Sequence, residues 1–428
     1  MYLFVIWLTI YVFLLINFNS RTIYHVPLII VLTQLSFQLI SFSEYSSAVI
    51  LTSYSMIFFS IAVSLIEIIK VNKLFVLKLT GFNRVAVFIA LLFILSLVNS
   101  SDVWLSIKRI LGIVSSLLVF LALYQKTIDY NGLQKGLNSV VYYLGFFALN
   151  FIFLSILQIG PSLNEFSYMK GYSESFLRTG SFSFFELHGV IILSALVFII
   201  NKLVSNKKIR NIGLWSIMVI VVMVFFTYKR TFLLTFLSGI IIYYIIYVVK
   251  ARYKVLNLLS VVFILSVFLV VSFSQLESFV LKREMAYNTE VMQNEGRLLE
   301  FLLYPKTVSE QSHPILFILF GSETFISGGK YKALNSGIEE GRFLHNDFAH
   351  LLFGSGLVGS FLYLSILFFL IKKSVFVIKL DNSILKFIGT GSLILVAAII
   401  ISGLGDGILS VQNRIVPFYT LGLFLGYA

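Results

Sequence analysis

A small set of polar side chains in this sequence stands where polar groups are expensive, at the edges of long apolar runs. Tyr228-Lys229-Arg230-Thr231 is a tight polar turn between two such runs. Glu295-Gly296-Arg297 opens a segment that sets Leu298, Leu299, Phe301, Leu302 and Leu303 beside Arg297, Glu300, Lys306 and Glu310, the pattern of a helix lying along a surface. Free N–H groups and the positive dipole end at the start of such a helix favour an anion, and a guanidinium adds a planar fork that matches phosphate oxygens. An exposed Arg297–Glu300 pair is the plainer role for the same residue. Arg342-Phe343-Leu344-His345-Asn346-Asp347 leads into another apolar run, where Asn346 or Asp347 also suits a helix N-cap. His345 and His350 are five apart, about 140° round a helix, so they do not form a shared-face metal pair. Arg178-Thr179-Gly180-Ser181-Phe182 precedes Glu186 and His188, and Lys108 and Arg109 fall about two turns into their run. Ionisable groups at such depths are costly unless they snorkel to the surface or face a wet cavity. Several cations with a carboxylate or imidazole among them would suit a lipid-linked anion.

The elements that position these groups must be membrane spans. With 59% hydrophobic and only 12% charged residues, the 428-residue chain holds more apolar surface than a soluble core could bury. Apolar stretches long enough to span hydrocarbon recur from end to end, and only helices or closed barrels satisfy every backbone group in lipid. Each stretch is too long and too uniformly apolar for a strand, so the chain is expected to be all-α and polytopic, with about 12 to 14 spans. Thirteen are placed near 2–17, 24–42, 47–69, 84–100, 103–124, 136–159, 184–201, 211–227, 231–249, 254–275, 347–371, 386–402 and 411–427. The opening segment lacks a basic n-region and a cleavage site and reads as a retained span.

Orientation follows from lysine and arginine in the connectors. Alternate connectors hold Arg21; Lys70, Lys73, Lys78 and Arg84; Lys126 and Lys135; Lys202, Lys207, Lys208 and Arg210; Lys250, Arg252 and Lys254; and Lys372, Lys373, Lys379 and Lys386, eighteen of the 32 basic residues. That side is expected to be cytoplasmic, so the net charge of +13 is mostly topology. A nucleic-acid partner would need a clustered soluble basic patch with aromatic platforms, and there is none. The opposite side receives loops 160–183 and 276–346 as insertions in a single transmembrane domain, 1–428. The larger carries seven basic side chains against nine glutamates, so an anion site there must come from selected arginines and not from bulk potential. Gly321–Gly341, rich in Gly and Ser, is expected to be irregular.

His345-Asn346-Asp347-Phe348-Ala349-His350-Leu351-Leu352, followed by Gly356-Leu357-Val358-Gly359, resembles the H-N-D-Y-L-Q-L-L-A-E-x-G-L-x-G signature of the O-antigen polymerase and O-antigen ligase family (Wzy and WaaL types). Gly296-Arg297 resembles the G-R pair of that family's long loop, Arg230 its S-R-T-like turn, and Arg178 to Glu186 its R-x-G-x-F-x-E-P stretch. The likeness covers about residues 165–428. It departs at Gly354, where the family is acidic, at Leu187 in place of Pro, and at Lys229 in place of Ser.

The resemblance implies a GT-C-like glycosyltransferase of the bacterial cytoplasmic (inner) membrane. It would act on the extracytoplasmic face, moving a glycan from undecaprenyl diphosphate to a sugar hydroxyl in O-antigen, capsule or exopolysaccharide synthesis. A chain-length regulator and a flippase are the partners it implies. The implied catalytic set is Arg230 and Arg297 clamping the diphosphate, with His345 or Glu186 taking the hydroxyl proton. Arg178, Lys229, Arg342, Asn346, His188, Lys108 and Arg109 would line the substrate path. No cofactor and no metal is called for. A ligase acting on a lipid core acceptor shares every one of these features. A lipid-linked oligosaccharide flippase is the alternative of another class and predicts internal repeats and helices interrupted at mid-membrane.

Overall fold

The computed structural model describes residues 2–17, 22–40, 47–71, 79–127, 129–157, 200–227, 230–248, 304–305, 307–322, 346–405 and 415–428. Among them every regular element is helical. In chain order these are α1 (Tyr2–Ile16), a 3-10 turn (Thr22–His25) leading into α2 (Val26–Ile40), α3 (Ser47–Val71), α4 (Leu79–Asn99), α5 (Val103–Lys126) and α6 (Tyr130–Leu157). There follow α7 (Lys207–Thr227), α8 (Arg230–Tyr243, continued by a π turn, Tyr244–Val248), α9 (Pro314–Phe320), α10 (Asp347–Ile378), α11 (Ser383–Gly405) and α12 (Ile415–Tyr427). The expected spans at 184–201 (bar its last residues) and 254–275, the loop 160–183 and most of 276–346 lie outside the described residues.

Four of these helices, Val103–Lys126, Tyr130–Leu157, Asp347–Ile378 and Ser383–Leu404, are long and apolar enough to cross a membrane. Shorter apolar helices accompany them. The bundle turns large apolar side chains outward, including Ile16 at 77% and Phe361 at 72% exposure, as a lipid-facing surface requires and an aqueous one penalises. Buried serines and threonines return their hydroxyls to the carbonyl one turn back, as Ser64 to Ser60, Ser96 to Leu92 and Ser374 to Leu370 do. These hydroxyls inside the apolar bundle are thereby satisfied locally.

Several connector cations among the described residues stand at one end. Lys126 closes α5 and pairs with Glu67 of α3, and its Nζ stands 5.9 Å from the Tyr24 ring. Nearby, Tyr130 meets Tyr427 edge-on at 6.2 Å. Gln134 ties the start of α6 to the 203–205 turn that leads to Lys207 and Lys208, accepting from the Ser205 N–H at 3.1 Å. Lys386, at the start of α11, lies over the Tyr247 ring at 4.9 Å. Because α10 runs down to this end and α11 runs back, Gly389 of α11 abuts the backbone of Ile378 and Ser374.

Glu67 and Lys126 form a salt bridge in which Glu67 is only 3% exposed. Removing one partner leaves a buried uncompensated charge, at a cost of roughly 3 to 5 kcal/mol, whereas replacing both by apolar groups of like volume is often near neutral. Glu67→Leu should therefore lower thermal stability in detergent markedly, and Glu67→Leu with Lys126→Met should recover most of the loss. A double variant as unstable as the single one would show that the pair is not what joins α3 to α5.

The expected span 347–371 is not one straight rod. Gly356 adopts φ 60° and ψ −162°, breaking α10 into a nine-residue arm and the span that follows. The Phe348 ring lies 6.4 Å from the Tyr363 ring. Fifteen residues along an unbroken helix would separate them by about 22 Å, so the arm bends sharply back beside the span. Short α9 fills the bend. Its Leu319–Phe320 peptide lies against Gly356, Gly321 lies against Phe353–Ser355, and Ser322 N–H donates to the Phe353 carbonyl at 2.9 Å. Asn99, closing α4, reaches the Gly321 carbonyl at 3.4 Å.

Candidate functional site

The arm of α10 delivers a polar cluster into the end of the bundle opposite the lysines. Asn346 caps it: its Oδ1 accepts from Phe348 N–H at 2.9 Å and Ala349 N–H at 3.3 Å, two of the donors every helix start leaves over. Its Nδ2 donates to the Leu404 carbonyl at 3.4 Å, fastening the arm to the last turn of α11. Of the two capping candidates in the sequence, Asn346 holds the cap and Asp347 becomes the first helical residue.

Asp347 follows Asn346 into the interior and is 1% exposed. A Cβ built on Gly403 would stand 3.0 Å from its Oδ2 and 3.6 Å from the Phe348 ring, so a side chain on α11 there would press on both. Gly403 is fourteen residues beyond Gly389, which places it well below the end of α10's bend by the antiparallel register. Asp347 thus enters the bundle and does not sit on its rim. His350, three residues on and buried, shares the arm's face with Asp347. An acidic residue in a helix's first turn is also favoured by the dipole, and that alone would account for an exposed Asp347. Nearly complete burial asks for more, since a carboxylate inside an apolar bundle must be met by partners or ligand.

Arg230 opens α8, and seventeen residues later Tyr247 stacks on Phe387 at 4.9 Å near the lysine end. At 1.5 Å per residue the helix start is about 25 Å away, at the end that holds Asn346 and Asp347. Residues more than a hundred apart in sequence, Arg230 and Asn346, therefore share one end of the bundle. Lys108 and Arg109 share it as well, two turns after Asp102, whose carboxylate caps α5 by accepting from Leu105 N–H at 2.9 Å. Lys108 lies 5.2 Å from the ring of Trp104, which is 65% exposed, the arrangement of an interfacial anchor. Arg178, Glu186, His188, Lys229, Arg297, Arg342 and His345 lie outside the described residues.

The arm itself was not legible as an arm. The sequence signal was present in Gly354-Ser355-Gly356, glycines inside an apolar run, where glycine marks a break or a close backbone approach. Among the described residues no three His, Asp or Glu side chains stand together as metal ligands would.

No protein-family model matches the chain, and no curated protein matches it.

Proposed function

We propose that the chain is a polymerase of lipid-linked oligosaccharide repeat units, a GT-C-like glycosyltransferase acting at the face of the membrane opposite its lysine-rich end. The observation that carries this reading is the coincidence of Arg230 and the buried Asn346–Asp347 step at that one end, in a chain whose motifs resemble the polymerase and ligase family in order and spacing. The reaction needs cations for a departing diphosphate, a base for the acceptor hydroxyl and access from lipid. Arginines 230 and 297 supply the first, His345 or Glu186 the second, and the membrane the third. The donor is undecaprenyl-diphosphate-linked glycan. By the positive-inside rule the site faces away from the cytoplasm of a bacterial inner membrane.

The broken α10 gives the transporter alternative one point in its favour, because interrupted helices hold substrate in many carriers. Its break lies close to one end, however, and is filled by the Leu319–Phe320 backbone of α9. Deleting the gene in its host and running envelope polysaccharide on a gel separates the readings. A product one repeat long is expected. Bare core with accumulated lipid-linked polymer would mean a ligase, and loss of all external glycan with repeat units trapped inside would mean a flippase.

A further inference from the structure

The loop 276–346 is expected from the sequence to lie outside the membrane with an amphipathic helix along its surface, yet its described portion includes a helix with no polar side chain. α9 is Pro-Ile-Leu-Phe-Ile-Leu-Phe. Phe317 is its one fully buried side chain, 3% exposed, stacked at 5.5 Å on Tyr304 and edge-on at 6.5 Å to Phe353, with Ile318 and Phe320 partly buried. Ile315 at 73%, Leu316 at 56% and Leu319 at 37% turn outward. The polar residues of this stretch, Glu310, Gln311, Ser312 and His313, all precede the helix.

The level of α9 is fixed by its backbone. Leu319 and Phe320 lie against Gly356, where the long part of α10 begins. From Gly356 to Ile378 is about 33 Å of helix, enough by itself to cross the roughly 30 Å hydrocarbon layer. The outward residues at the top of that span are Leu357 and Phe361, and α4 beside it exposes Leu97 and Val98 just before Asn99 reaches Gly321. The outward face of α9 is therefore continuous with the lipid-facing belt of α4 and α10, at the same depth. At its ends the Phe317 N–H donates to the His313 carbonyl, the Gly321 N–H to the Phe317 carbonyl and the Ser322 N–H to the Phe353 carbonyl of α10, so part of the terminal backbone is met within the protein, as immersion requires. In water the same face would be an exposed patch of large aliphatics.

We infer that α9 is a re-entrant helix immersed in the leaflet opposite the lysine end, with Ile315, Leu316 and Leu319 in contact with lipid acyl chains. The loop then does not stand clear of the membrane but is pinned into it beside the polar arm, so that a lipid-borne substrate in that leaflet meets both. This inference rests on the chain spanning a membrane and is independent of which reaction it performs.

The native chain has no cysteine, so single nitroxide labels can be placed without background. Ile315→Cys and Leu316→Cys are both on the exposed face and disturb no packing; Phe361→Cys serves as the lipid reference and Ser312→Cys as the aqueous one. With the full chain in vesicles of phosphatidylcholine and phosphatidylglycerol, power saturation compares collisions with oxygen, which concentrates in lipid, and with a water-soluble nickel chelate. Labels at 315 and 316 should match 361, with oxygen accessibility exceeding nickel accessibility, while 312 shows the reverse. Nickel-dominated collisions at 315 and 316 would place the helix in water, and low accessibility to both would mean that protein covers it; either result overturns the inference. Neither touches the assignment of an enzymatic activity, which the gel of envelope polysaccharide tests separately.

Discussion

Arg297→Lys and Arg230→Lys should each cut polymer formation by roughly thirtyfold to a thousandfold at equal protein level. The expectation follows from what a diphosphate leaving group needs. In the proposed reaction charge would build on its oxygens as the glycosidic bond breaks. A guanidinium meets that charge with two parallel N–H donors in a fixed fork, and a lysine meets it with a mobile point charge. Losing one charge-assisted hydrogen bond in a transition state of this kind costs about 2 to 4 kcal/mol, which is the stated range in rate. Arg230 stands at the first position of α8, at the end of the bundle that also holds Asn346 and Asp347. A surface role predicts the opposite outcome, because an exposed pair such as Arg297 with Glu300 is worth only about 0.3 to 0.5 kcal/mol and lysine serves in it nearly as well. Lys306→Ala is the control, a nearby loop cation with no assigned role. Near-normal polymer from both lysine variants would remove the diphosphate clamp and leave the membrane architecture untouched.

Legible in the sequence was what hydrophobic length and charge bias encode. The helical class and the four long apolar helices follow from apolar runs that no soluble fold could bury, and two of them, α5 and α11, begin within a few residues of where the runs do. The lysine-rich end follows from Lys126, Lys207 and Lys386 falling in alternate connectors. The interior of the site did not follow, for a definite reason. A hydropathy pattern reports how much of a segment prefers lipid and is silent about the direction of the backbone through it. Asp347 through Ile378 is one apolar run, yet it makes two elements, because a single residue at Gly356 has a backbone angle that hydropathy does not register. The burial of Asp347 follows from that bend and so was equally hidden. The Glu67–Lys126 pair was hidden in another way. Lysine 126 counts correctly as a connector cation, but its partner is 59 residues away, and only the packing of α3 on α5 brings them together.

The bend is also where the smallest change should do the most damage. Gly356 at φ 60° and ψ −162° occupies a region of backbone space that is essentially restricted to glycine, where another residue pays on the order of 1 to 3 kcal/mol. A methyl group there has no room either: a Cβ would lie 2.4 Å from the carbonyl carbon and oxygen of Leu319 and 2.5 Å from the Phe320 nitrogen. These are backbone atoms, so no rotamer change relieves the overlap, and either α9 must leave its seat or α10 must straighten. Gly321, at φ 69°, faces the same difficulty from the other side, its Cβ meeting the Phe353 carbonyl oxygen at 2.4 Å. Gly356→Ala and Gly321→Ala should therefore each lower the midpoint of thermal unfolding in detergent and abolish activity. Leu357→Ala, next along the chain and half exposed, should change neither by much. The two glycine variants together should lose less than the sum of their separate losses, because once α9 has moved away from α10 the second methyl meets nothing. Additive losses would mean that the two glycines answer to separate constraints, and wild-type stability in Gly356→Ala would mean that α10 runs straight and the polar arm does not fold into the bundle.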